Sequence, residues 1–264
     1  MLTRSKHGAN FMGDRTFDIL LDIHHGLPRQ GPGDDMCTRR ALAMFDGLPA
    51  APDVLDVGCG PGMQTLALAE ALGSEVTAVD IFDVFLDELR DRAQERGLDA
   101  MVHPVKASMD AMPFADASFD LIWAEGSAYV MGVGEALQAW RPLLRDGGCI
   151  AFTEMVWLVD EPPAEAASFF GQEYPAMTDV PTNLQLIRDA GYEVVGHFTL
   201  PDSAWWDNYY APLEARLPEM RRKYADDPQG LDMIAASQRE IDVRRQFPDA
   251  YGYEFFVAKS TYMT

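Results

Sequence analysis

The chain has 264 residues, 48% of them hydrophobic, and carries 21 Lys plus Arg against 42 Asp plus Glu, a formal charge of −21. This length suits one large α/β domain with a cap, or two small domains, and the composition fits no class other than soluble globular. So acidic a surface repels phosphate backbones and disfavours nucleic acid as a partner.

At the N-terminus, "MLTRSKHGANFMGDRTFD" lacks the apolar stretch of a secretory leader, and no run of eighteen apolar residues occurs anywhere, so no membrane partner is expected. Cys37, Cys59 and Cys149 are odd in number and have no CxxC spacing. They read as reduced thiols of a cytoplasmic protein, with neither a disulfide framework nor a metal site. "HHGLPRQGPGDD", residues 24–35, is a loop broken by prolines and glycines, and Asp34 or Asp35 can cap a helix starting near Met36.

From Asp53 onward strand-like and helix-like segments alternate. "DVLDVG" reads as a strand, residues 63–72 as a helix, "EVTAVD" as a strand and residues 82–97 as a helix. "MVHPVKA" and "FDLIWAEG" are the third and fourth strands, residues 135–144 a helix and "GGCIAFTEM" the fifth strand. That alternation predicts a doubly wound parallel sheet with helices on both faces, its strands buried on both sides. "GYEVVGHFTLP" and "YGYEFFVAK" read as a terminal hairpin-like pair interrupted by a helical insertion over residues 211–247. The insertion is expected to serve as a lid or as a homodimer contact. One domain follows: a helical cap and loop (1–50), a cofactor-binding core (51–200), a helical insertion (201–250) and the last strand (251–264).

In an open parallel sheet, ligands bind beyond the carboxyl ends of the strands where the strand order reverses. Gly58 and Gly60 stand at such an end, and Asp80 closes the next strand 22 positions after Gly58, able to accept bonds from ribose hydroxyls. A dinucleotide fingerprint needs a third small residue at the position held by Met63, but the glycine falls one place early, at Gly62. Asp56 adds a negative charge close to where a diphosphate would sit, and no GK[ST] follows for a phosphate loop. A ligand carrying an ammonium or sulfonium group suits the turn better.

"VLDVGCGPG", the acidic Asp80 and "ASMDAMPFADASFDLIWAEG" resemble the class I S-adenosylmethionine-dependent methyltransferases, most closely the UbiE-like small-molecule branch. The resemblance covers residues 53–155. The outer segments resemble a subgroup with a "GLPRQGPG"-like loop and an "SMD…WxEG" pair, of unassigned substrate. It implies a Rossmann-like, mostly parallel seven-stranded sheet with the last strand antiparallel, binding S-adenosyl-L-methionine and releasing S-adenosyl-L-homocysteine. Gly58, Cys59 and Gly60 would contact the methionine part through backbone, Asp80 would hold the ribose, and Ile81, Ser108 and Met109 would border the adenine. Many relatives carry Asp where Ser108 stands. Gln64 would reach the methionine carboxylate or amine, and Glu125 would face the same crevice.

Methyl transfer is an in-line displacement that relies on alignment, with a general base needed most for hydroxyl or carbon acceptors. His24 and His25 are candidate bases, Glu125 a candidate catalytic carboxylate, and Arg29 a carboxylate clamp of cofactor or substrate. Tyr129, Glu154, Trp157, Trp205 and Tyr209 are candidates for the wall around a small-molecule acceptor. An NAD-linked oxidoreductase and a non-catalytic cofactor-binding regulator remain as alternatives.

Overall fold

The computed structural model describes residues 15–261; the first fourteen residues of the expected N-terminal cap, and 262–264 of the last strand segment, lie outside the described residues. Two helices come first, α1 (Arg15–His24) and α2 (Asp35–Leu42). Asp34 caps α2, its carboxylate accepting the Cys37 N–H at 2.6 Å. The core then alternates β1 (Val54–Val57), α3 (Met63–Leu72), β2 (Val76–Asp80), α4 (Asp83–Arg96), β3 (Val102–Lys106), β4 (Phe119–Glu125), α5 (Val133–Trp140) and β5 (Leu144–Trp157). Residues 63–72 form the expected helix, bounded by Gly62 and Gly73 in left-handed backbone. The helix expected over 135–144 stops at Trp140, and the chain tightens into a 3₁₀ turn at Pro142 before β5.

The sequence reading assigned nothing between residues 158 and 190. Here the structure holds α6 (Ala164–Glu173), a two-residue strand β6 (Thr178–Asp179) beside β5, and α7 (Val180–Asp189). β7 (Tyr192–Thr199) and β8 (Tyr251–Ser260) form the antiparallel terminal pair, separated by α8 (Asp202–Trp205), a π-helical turn over Trp206–Tyr210, α9 (Ala211–Lys223) and α10 (Pro228–Gln246). The expected continuous helical stretch 211–247 is therefore two helices, parted just before Pro228, which starts the second.

The main sheet path is β3-β2-β1-β4-β5-β8-β7, with β8 antiparallel to both neighbours. This is the doubly wound, seven-stranded arrangement with an antiparallel last strand, plus the short β6. Successive residues of β5 feed opposite cores: Ala151 and Met155 join one, Ile150, Phe152 and Val156 the other. β1 is buried along its whole length, as a strand covered on both faces must be. Among the described residues, no helix is long and apolar enough to cross a membrane.

Candidate active site

The strand order reverses between β1 and β4, and a cleft of about 890 Å³ opens beyond the carboxyl ends of the strands there. Its floor is the turn after β1. Gly58 has φ +71°, and a Cβ there would lie 2.4 Å from the Cβ of Ser127, so β1 and the segment after β4 approach as closely as only glycine permits. Gly60 has φ +52°, with the Gln30 side chain 3.7 Å from its Cβ position, so the proline-glycine loop lies directly above the turn. Gly62 serves packing: a Cβ would strike Leu89 Cδ1 of α4 at 2.1 Å.

Asp80 lines the cleft and ties β2 to this turn. Its two carboxylate oxygens accept the N–H groups of Gly60 and Phe82, each at 3.0 Å. Burial raises its pKa, against backbone donors at Phe82, Gly60 and Ile81 that lower it. Gln64 also lines the cleft, with its side-chain amide donating to Cys59 O at 2.9 Å. Ile81, Ser108 and Met109 line the same end, joined by Asp110, whose carboxylate accepts the Ser108 hydroxyl. Asp110, two residues from Ser108, was not among the expected site residues.

Asp56 is not a charge facing the ligand, contrary to expectation. It is fully buried in β1, accepts the Thr65 hydroxyl at 2.6 Å, and burial pushes its pKa up to about 7. The electrostatic case against a diphosphate passes to other residues. Among the described residues that line the cleft, Asp80, Asp110, Glu125, Glu173 and Glu240 face a single cationic side chain, Arg29.

Arg29 does not stand open as a clamp. It is buried and bonds Glu125 Oε2 at 2.7 Å through Nη1, with Asp35 at 3.4 Å from Nη2. Glu125 also accepts the Thr38 hydroxyl at 2.7 Å and the Trp123 indole N–H at 2.9 Å. Three donors on one carboxylate leave it poorly suited to act as a base; the pair instead pins the loop above the glycine turn to the end of β4. Arg29 Nε is buried and has no hydrogen-bond partner.

The histidines fall outside the cleft lining. His24 is buried on α1, its Nδ1 bonded to Leu20 O at 2.9 Å, and burial drives its pKa down to about 4. It lies 6.4 Å, ring to ring, from Tyr209, which does line the cleft. His25 is largely exposed and pairs with Glu88 at 2.6 Å. Trp157 also lies outside, packed edge-on against Phe170. Glu154 is not at the strand end, because β5 runs on to Trp157; it is buried, accepts the Met155 N–H at 3.0 Å, and burial pushes its pKa up to about 8 against the Tyr174 hydroxyl.

The far end of the cleft is aromatic. Tyr129, Trp205 and Tyr209 are there as expected, with Tyr174 and Tyr253, which the sequence reading missed. Tyr129 and Tyr174 meet edge to face at 5.6 Å, and Trp205 and Tyr253 at 5.2 Å. The Tyr253 hydroxyl lies 3.7 Å from the Cβ position of Gly126, next to the Ser127 that touches Gly58, which links the aromatic end to the glycine turn. Burial holds the Tyr209 and Tyr253 hydroxyls well above their usual range, so both stay protonated donors. The period-2 run Tyr251, Tyr253, Phe255 was the available signal for Tyr253.

Residues 54–148 match the family model described as a methyltransferase domain. The malonyl-[acyl-carrier protein] O-methyltransferase of Pseudescherichia vulneris is 40% identical over 103 residues, 39% of this chain and 38% of that protein. The 27-O-demethylrifamycin SV methyltransferase of Amycolatopsis mediterranei is 28% identical over 250 residues, 88% of each chain. The chain thus spans less than half the length of the first of these relatives. A crystal structure of a methyltransferase from Geobacter sulfurreducens in complex with S-adenosyl-L-homocysteine superposes with a TM-score of 0.78 at 21% identity, covering 92% of this chain and 98% of that one.

Proposed function

We propose, from the match of residues 54–148 to a methyltransferase domain, that this chain is a class I S-adenosylmethionine-dependent methyltransferase that moves a methyl group from S-adenosylmethionine to a small-molecule acceptor. The observation that carries the reading is one continuous cleft, lined at one end by the Gly58–Gly60 turn and Asp80 and at the other by five aromatic rings. Its volume, about 890 Å³, lies in the upper part of the range of about 300–1,000 Å³ for small-molecule sites, room for a nucleoside cofactor and a modest acceptor.

The residues fit that cofactor. A side chain at Gly58 would fill the floor of the turn, and the unpartnered Nε of Arg29 offers a buried donor to a carboxylate. Five carboxylates against one arginine favour a sulfonium nucleoside over a diphosphate. Gly58, Cys59 and Gly60 would hold the amino-acid part through backbone, with Gln64 and Arg29 near its carboxylate. Asp80 would accept from the ribose hydroxyls. Ile81 and Met109 would flank the adenine, and the Ser108–Asp110 pair would accept its amino group. When bound, the cofactor supplies an electrophilic methyl on a sulfonium.

What the chain contributes is alignment and shelter. The loop over 28–32 covers the turn, and Trp205, Tyr209 and Glu240 of the insertion close the other side, so the cap and insertion act together as the lid that keeps water out. The acidic wall disfavours nucleic acid as acceptor, and three unpaired cysteines agree with a cytoplasmic setting. Calorimetric titration with S-adenosylhomocysteine is expected to show saturable one-to-one binding, and a metabolite screen by mass spectrometry a product one methyl heavier. Uptake of NADH in place of S-adenosylhomocysteine would overturn the reading.

A further inference from the structure

We infer that the acceptor is an organic amine, methylated on nitrogen within the aromatic end of the cleft; the inference rests on the methyl-transfer reading above. Three observations converge on it. The first is the wall itself: Tyr129, Tyr174, Trp205, Tyr209 and Tyr253 come from four separate segments and gather at one end of the cleft. Aromatic rings grouped in this way bind alkylammonium cations through their negative faces.

The second is the charge around them. Arg29 is the one cationic side chain among the described lining residues, and it is bound to Glu125. Glu240 lines this end and accepts the Tyr210 hydroxyl at 2.9 Å, and Glu173 lies next to Tyr174. Among the described lining residues no second cationic side chain stands to receive a carboxylate or phosphate acceptor, whereas a charge developing on nitrogen meets the ring faces. The third is the state of the candidate bases. His24 and His25 are outside the lining, and Glu125 is held by three donors. None of these three stands ready to deprotonate an alcohol or carbon acid, the acceptors for which a general base matters most. A neutral amine brings its own lone pair and needs no base for the displacement itself.

The step balances without a co-reactant. The amine lone pair forms the N–C bond as the C–S bond breaks, the electron pair of that bond stays on sulfur as a thioether, and the positive charge passes from sulfur to nitrogen. An acceptor that arrives as an ammonium first gives its proton to water to free that lone pair, and any proton left on the nitrogen after the transfer leaves to water as well. The rings and carboxylates therefore stabilise the charge more as it arrives on nitrogen than they do the neutral amine, which is where binding energy accelerates the step.

The test uses the full chain with choline, a product-like cation, and its uncharged carbon isostere, titrated with and without saturating S-adenosylhomocysteine. Choline is expected to bind about tenfold tighter than the isostere or better. That preference should survive Tyr253→Phe, which keeps the ring, and shrink toward parity in Tyr253→Leu. Equal affinities in the wild-type chain, which requires no variant to fold, would overturn the inference while S-adenosylhomocysteine binding leaves methyl transfer standing. A choline preference in protein that ignores S-adenosylhomocysteine would overturn methyl transfer, and N-methylation with it.

Discussion

Between Gly58 and Phe82 the cleft wall is built on a backbone turn, the N–H groups of Gly58 and Cys59 bonded to Val79 O and those of Gly60 and Phe82 to Asp80, whereas the opposite end is made of side chains that arrive from residues 129, 174, 205–209 and 253. The first end is anchored by one short stretch of chain, residues 58–82, to which residues 108–110 and the loop over 28–32 add side chains. The second exists only once four distant segments have packed. A backbone-built end tolerates little change and gives the same ligand geometry whatever the neighbouring side chains; a side-chain-built end can be re-lined, so it is where acceptor choice resides.

The sharpest way to break the backbone end is Gly58→Ala. The new Cβ meets Ser127 Cβ at 2.4 Å in backbone of φ +71°, and both atoms sit on packed main chain. A loss of about 4 kcal/mol in urea unfolding is expected, combining left-handed strain and overpacking. Arg29→Ala comes next. It strands a carboxylate whose side chain is only 4% exposed, at a cost of about 3 kcal/mol; Arg29→Ala combined with Glu125→Gln should regain part of that loss.

Asp80→Ala then tests the ligand-facing groups. S-adenosylhomocysteine affinity should fall by about tenfold to a hundredfold in calorimetry, the value of hydrogen bonds to a charged acceptor. A variant binding as tightly as wild type would remove Asp80 from the site.

Two buried carboxyls behind the cleft give a pH handle. Burial raises Glu154 from 4.5 to about 8 and Asp56 from 3.8 to about 7. A carboxyl whose folded pKa is raised contributes stability that is whole below its unfolded pKa and is lost as pH rises through the folded one. Stability should therefore decline from about pH 4 to pH 8 on account of these two groups. Glu154→Gln should flatten the part between pH 7 and 8, where most of the Asp56 contribution is already spent, by about 1 kcal/mol. A slope unchanged in the variant would place the titration elsewhere. The smallest effect belongs to Gly60→Ala, where the space is open to 3.7 Å and only the φ of +52° resists, about 1 kcal/mol.

The same contrast explains what could be read from the chain alone. The strand, turn and helix over residues 54–72 are local, and each residue type reports its own backbone, so their positions and Asp80 followed directly. Asp56 misled because β1 is buried on both faces, so no alternation of polar and apolar residues tells a buried carboxylate from a ligand-facing one. His24 stands seven residues after Phe17 on the buried face of α1, two helical turns apart, and that spacing marks it as a packed residue. Arg29 and Glu125 were each read toward a ligand, when their nearest opposite charge was one another, 96 residues away along the chain. Tyr174 has no motif, and the alternation around Tyr253 marks a strand face but not a ligand; only the segment after α6 and the antiparallel register of β8 bring the two to the cleft.

The most direct measurement is a crystal structure with S-adenosylhomocysteine bound. The account predicts ribose hydroxyls within hydrogen-bond distance of Asp80, the homocysteine carboxylate near Arg29 Nε, and the sulfur turned toward Tyr253. Density for the nucleoside at the tyrosine end, or its sugar far from Asp80, would contradict it.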